Sequence, residues 1–171
     1  VFGQDGSFSY DALVGRYNSD LANGLGNLVS RTLTMINQYC GGAVPRSEGD
    51  AGIAQEARET ISAAVAAFEN FDFSKALETA WALLSAVDRF IVSRAPWTLV
   101  RDQTAQARTR LEETLYTAAE VLRIVAVLLT PVLPESTRKI WEQLGMAGSP
   151  EDVRLQDLAW GQLPAGQTVG T

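Results

Sequence analysis

The sequence predicts an all-α fold, an antiparallel bundle of about five helices, and three observations carry that expectation. Apolar residues recur at three- and four-residue intervals over most of the 171 residues. Stops of Gly and Pro type separate these stretches by short connections, which make consecutive helices antiparallel neighbours. No stretch alternates apolar and polar residues for long, and the Asn23–Gly24 pair lies within a helical pattern rather than between two strands, so it marks no hairpin.

The elements follow in order. Ser9 is the N-cap candidate of a first helix that runs to "CGG" (40–42), a C-terminal stop. Gly24 and Gly26 are candidate points for a kink or a split within it. After the loop "AVPRSEGD" (43–50), a second helix covers 51–71, with Ile53, Ala57, Ile61, Ala64, Val65 and Phe68 at helical spacing. A third covers 73–94, with Leu77, Trp81, Leu84, Val87 and Ile91 on one side. "APW" (95–97) interrupts it, because Pro96 lacks an N–H and pushes Ala95 out of the right-handed helical region. A fourth helix covers about 104 to 130, and Pro134 opens a fifth over 134–145 that Gly145 closes. One domain is expected over 1–171, with 146–171 as a tail that packs back as an extended strap through Leu158, Trp160 and Leu163.

Absences restrict the chemistry. The chain has no His and one Cys, Cys40, so it holds no His general base, no Ser-His-Asp or Cys-His pair and no Cys/His zinc site. Cys40, at the end of an apolar helix, reads as a small core residue. Glu112 and Glu113 are adjacent on a helix, point in different directions and form no acid/base pair. With no disulfide available, a cytoplasmic origin is the default. The longest apolar run, "IVAVLLTPVLP" (124–134), is too short and too Pro-broken for a bilayer. The start at Val1 rather than Met suggests a piece of a longer protein. Net charge is −6, but it is unevenly spread. Residues 46 to 79 are dominated by acids, whereas 88 to 110 hold Arg89, Arg94, Arg101, Arg108 and Arg110 against Asp88 and Asp102. An acidic domain with an arginine zone still binds a few phosphates, in a salt-sensitive way.

Two features call for more than a solvated surface. On a helical wheel, Val14, Leu21, Leu25, Leu28, Val29, Thr32 and Ile36 form a broad apolar arc. Opposite it, Asn23 and Arg31 flank Asn27 within about 40° on either side, one polar stripe over two turns. Solvated faces usually carry Glu and Lys; Asn and Gly are poor helix formers, each costing about 0.5–1 kcal/mol relative to Ala. Asn and Arg are also the side chains that read base edges with paired hydrogen bonds. Gly24, on the edge of the stripe, leaves room for an approach to the backbone. Asn18 falls among the apolar residues and reads as a buried amide. The second feature is "APW": Trp81 and Trp141 lie on apolar faces and read as core, but Trp97 stands at a stiff corner amid Arg94 and Arg101. A rigid aromatic flanked by cations suits an unstacked base.

"YNSDLANGLGNLVSR", "DRFIVSRAPW", "LLTPVLPESTRKIWEQLG" and "AWGQLPAG" occur in an order that resembles the C-terminal part of the bacterial methionyl-tRNA synthetase family, over nearly the whole chain. The resemblance implies a class I synthetase anticodon-binding helical bundle that contacts the anticodon CAU. Carried over by motif, Trp97 stacks on exposed anticodon bases, Asn27 and Arg31 help read the first one, and Pro96 positions the Trp, with Asn23 on the same stripe. It further implies a tRNA-Met anticodon stem-loop and the catalytic domain of the parent chain as partners, not DNA or a membrane. The HIGH and KMSKS signatures of the adenylate site do not occur here, so no cofactor is expected on this stretch; ATP and Mg belong to the parent. Two departures stand out: Asp88 where the family often has Asn, and the overall acidity. Asp88 falls beside Trp81 and Leu84 on the wheel, so it is expected on the apolar side, pairing with an arginine and holding Arg31 in place. The related bundles for Leu, Ile, Val or Cys, and a helical interaction scaffold, remain alternatives.

Overall fold

The structure, a computed structural model, describes residues 24–170. Ser9, Asn18, Asn23 and the early part of the first helix lie outside the described residues. The helices are α1 (Asn27–Cys40), α2 (Ala51–Glu69), α3 (Phe73–Arg94), the short α4 (Pro96–Leu99), α5 (Ala105–Leu129) and α6 (Pro134–Gln143), followed by two 3-10 turns at Pro150–Asp152 and Leu155–Asp157. The fold is all-α; among the described residues the one extended pairing is an isolated antiparallel bridge between Ala43 and Thr168. Gly24 to Gly26 form a π-helical turn that leads straight into α1, so the glycines widen the helix rather than split it. The "APW" interruption is a helical turn of its own, α4.

Local chemistry sets the boundaries. Gly41 ends α1 in the left-handed conformation at φ 64°, which glycine adopts without a Cβ clash. Asp50 caps α2 by accepting from the Gly52 and Ile53 N–H groups. Thr104 caps α5, and Pro134 opens α6. Asp50 also takes Arg94 Nη2 at 2.5 Å, and Arg94 reaches Glu113 at 3.3 Å, so the start of α2, the end of α3 and the first turns of α5 meet. That contact makes α2 and α5 antiparallel to α3.

The axis of the molecule is α5. From Thr114 to Leu129 every residue is buried, with the other long helices and the tail around it. Two charged residues lie within this run, Glu120 at 0% and Arg123 at 1% exposure. They form a two-point pair, Arg123 Nε to Glu120 Oε2 at 2.8 Å and Nη2 to Oε1 at 2.7 Å. The Glu120 carboxylate also accepts from the N–H groups of Gly161, Gln162 and Leu163, and Arg123 donates to the Ala159 carbonyl at 2.6 Å. The tail is thus held by a buried charge pair, with Leu158, Leu163 and Val169 buried beside it. Trp160 is half-buried and donates to the Glu48 carbonyl at 2.9 Å. Its ring lies where a Cβ on Gly49 would stand, 2.6 Å from Cζ2, so that position, at φ 79°, admits glycine alone. Beyond Pro164 the tail runs beside the loop after α1, through Val44 to Gln167 and Gly166 and through Val169 to Gly42.

Two outcomes are expected. Glu120→Gln leaves Arg123 buried without a charge partner and should lose about 3–5 kcal/mol in urea unfolding. The double change to Met at Glu120 and Arg123 should not restore stability, because three tail N–H groups still lose their acceptor; full recovery would show that the tail does not depend on the carboxylate. For Asp50, partial burial pushes the carboxyl up, but the Ile53 N–H, the Arg94 guanidinium and the Gly52 N–H outweigh it and hold the group below the usual carboxylate range. A depressed folded-state value adds stability above the unfolded value near 4 that disappears as pH falls through the folded one. Asn keeps the cap and loses the charge, so wild type should exceed Asp50→Asn in melting temperature at pH 7, with the gap closing below about pH 4.

Candidate nucleic-acid interface

The apolar arc of α1 faces inward: Leu25, Leu28, Val29, Thr32 and Ile36 are buried. Asn27 is exposed and Arg31 half-exposed on the other side, so the stripe faces outward as its residue types suggested. Gly24 is exposed, so the room expected at the edge of the stripe is present. A Cβ there would stand 3.9 Å from Trp81 Cζ3, an ordinary contact, so the neighbour at this edge is a ring of α3. Trp81 itself is half-buried rather than fully in the core, whereas Trp141 is buried and donates to the Ala147 carbonyl at 3.0 Å.

Arg31 reaches across to α3, its Nη2 2.5 Å from Asp88 Oδ1. Asp88 was expected on the apolar side of α3; its side chain is instead 52% exposed. The wheel placed it beside Trp81 and Leu84, but Leu84 faces the core while Asp88 stands on the rim, where α1 approaches and an arginine can meet it. The contacts Gly24 with Trp81 and Arg31 with Asp88 lie seven residues apart on both helices, so α1 and α3 run the same way. Asp88 to Ala95 is therefore about 10 Å along α3 at 1.5 Å per residue. The corner thus begins about two helical turns beyond the point where the stripe meets α3.

The corner is held from below. Ala95 has φ 46° and ψ 61°, the left-handed region that costs a non-glycine residue about 1 kcal/mol or more. Pro96 forbids the right-handed alternative. The Ala95 carbonyl accepts from the Thr98 and Leu99 N–H groups and from Thr98 Oγ1, and the Pro96 ring is buried. Trp97 on this base is 40% exposed, and Val92 and Val100 are exposed as well. Of the two cations expected around Trp97, Arg94 is not available. It is tied to Asp50 and Glu113 and its guanidinium lies over the Phe90 ring at 5.0 Å. Arg101 and Arg89 are exposed and form no ion pair among the described residues.

Cys40 is half-buried, and burial pushes its thiol up against the lowering effect of Arg108, which makes it a poor nucleophile. Glu112 pairs with Arg108 and Glu113 with Arg94, so the adjacent glutamates do diverge. Among the described residues no cluster of His, Cys, Asp and Glu is fit to hold a metal ion, and no helix is long and apolar enough to cross a membrane. Sequence reasoning missed the supports: the Asp50–Arg94–Glu113 tie under the corner and the Glu120–Arg123 clamp. A visible signal existed for the second, a Glu and an Arg three apart in an otherwise apolar run.

Comparison with known proteins shows the family. A family model described as the anticodon binding domain of methionyl tRNA ligase matches residues 41–171. The methionine–tRNA ligase of Streptomyces coelicolor is 40% identical over 99% of this chain and 33% of its own length. That of Bacillus subtilis is 41% identical over 95% of this chain and 25% of its own. The crystal structure of Mycobacterium tuberculosis methionyl-tRNA synthetase bound by methionyl-adenylate superposes with a TM-score of 0.87 at 34% identity, over 98% of this chain and 34% of that one. The chain spans a quarter to a third of the length of these relatives. The family model begins where α1 ends, the whole-chain likenesses extend over α1 as well, and the chain belongs to the family of methionyl-tRNA ligase anticodon-binding domains.

Proposed function

We propose that the chain, as one domain with its tail, reads the CAU anticodon of tRNA-Met for a catalytic domain elsewhere in a parent methionine–tRNA ligase that uses ATP and Mg. The observation that carries this reading is Trp97, left 40% exposed on a corner whose backbone is strained and whose Pro96 is buried. A flat ring fixed in this way offers an unstacked anticodon base a surface at little ordering cost. Asn27 and Arg31 supply hydrogen-bonding groups to the first anticodon base, and Asn23 extends their stripe. Pro96 sets the direction of the ring. Arg101 neutralises phosphate, a role Arg94 does not share. With a net charge of −6, binding is modest and salt-sensitive. The setting proposed is the cytoplasm.

The test is titration of a labelled stem-loop bearing CAU, beside one with its first anticodon base changed to G, at low salt. Trp97→Ala should lose about 1–3 kcal/mol of affinity, as base–aromatic stacking does. Its melting temperature should change little, because the corner rests on backbone bonds and Pro96. Arg31→Ala should erase the preference for CAU. Equal binding of both loops by wild type would reduce the interface to electrostatic attachment, and no binding by a folded chain would favour a scaffold role. Arg101→Ala should weaken both loops alike and reduce the salt slope by about one phosphate contact.

A further inference from the structure

We infer that Asp88 is a specificity-determining residue, its carboxylate accepting from the exocyclic amine of cytosine at the first anticodon position while Arg31 donates to the ring edge beside it. The inference rests on the anticodon reading above and deepens it. Asp88 Oδ1 holds Arg31 Nη2 at 2.5 Å, and Oδ2 has no hydrogen bond among the described residues. The side chains are 52% and 36% exposed, so both remain accessible from outside. Arg31 Nε is buried without a partner, and the only hydrogen bond of this guanidinium among the described residues goes to Asp88. The guanidinium is therefore aimed by a single carboxylate and has donors left over.

Side by side, the two groups present an acceptor and a donor on one rim. Cytosine offers the complement, an amino donor next to a ring-nitrogen acceptor. Uracil offers the reverse, a carbonyl acceptor next to a ring N–H, so both contacts turn unfavourable at once. A lone Arg31 meets only half of this pattern. Adenine also has an amine beside a ring nitrogen, so the pair separates amino-bearing from carbonyl-bearing edges, and C against U is the decisive comparison. A carboxylate on a face that meets a polyanion lowers affinity unless it is neutralised and used; Arg31 neutralises it. As a tie between helices alone, an exposed ion pair adds little to a fold.

The experiment measures affinities of wild type, Asp88→Asn and Asp88→Ala for stem-loops bearing CAU and UAU, with melting temperatures to confirm folding. Wild type should prefer CAU by about tenfold or more. Asp88→Asn should keep part of that ratio, because its amide oxygen still accepts from the cytosine amine, and lose the rest by binding UAU better when the amide turns over to donate to the uracil carbonyl. Asp88→Ala should lose it by binding CAU less well. Base readout also predicts that the ratio stays constant between two salt concentrations while both affinities fall. A wild type that prefers CAU, with Asp88→Ala keeping the wild-type ratio, overturns the role of Asp88 and leaves the anticodon reading standing. A wild type with no preference, or no binding, overturns both.

Discussion

The carboxylate of Glu120 is the interaction on which the arrangement of the other parts depends. It lies at 0% exposure in the middle of α5 and accepts five hydrogen bonds, two from Arg123 and one each from the backbone of Gly161, Gln162 and Leu163. A charge in that position survives only when a partner and donors satisfy it. The tail has the opposite need. Past its two 3-10 turns it has neither ladder nor helix, so the N–H groups of residues 161 to 163 need an acceptor outside the backbone. Each requirement answers the other.

The consequence travels outward along the tail. Past Leu163 the chain meets the loop after α1, where Gly166, Gln167 and Val169 bond to Val44 and Gly42, and the Gly170 carbonyl takes the Asn37 side chain at 3.1 Å. The C-terminal half of α1 is thereby tied to the last residues described. Arg108 adds a second tie by donating to the Tyr39 carbonyl at 2.9 Å. A helix fixed at that end keeps Arg31 at a constant distance from α3, and the Asp50–Arg94–Glu113 contact does the same for the corner. The polar stripe and Trp97 thus keep their separation because remote parts of the chain are locked.

Helices were legible because their signals are local. Three-and-four spacing, "CGG", the proline after Leu133 and the "APW" break each act within a few residues, and the observed ends of the four later long helices fall within two residues of the reading. The stripe was legible for the same reason, since Asn27 and Arg31 stand opposite a buried arc. What was not legible depends on contacts far apart in sequence. Arg94 looks like a cation beside Trp97 until Asp50, from another helix, takes it. Asp88 reads as apolar-side on a wheel, because a wheel shows angle and not where the neighbouring helix stops. The tail clamp needs residues 120 and 161 to 163 to meet, which no periodicity announces.

Acids near the interface follow one pattern. Asp50 and Glu113 are taken by Arg94, Glu112 by Arg108 and Asp88 by Arg31, while Asp102 turns its carboxylate onto the Thr104 N–H. Arg89 and Arg101 stay exposed and unpaired with any acid among the described residues. A chain of net charge −6 therefore has one end whose acids are largely neutralised internally. The strained Ala95 belongs to the same logic. Stability alone would favour glycine there and a buried ring at 97, yet an alanine is held in the left-handed region and the Trp remains partly exposed. Strain, an exposed aromatic and paired acids coincide at one end of the bundle, and a fold selected only to persist has no use for that combination.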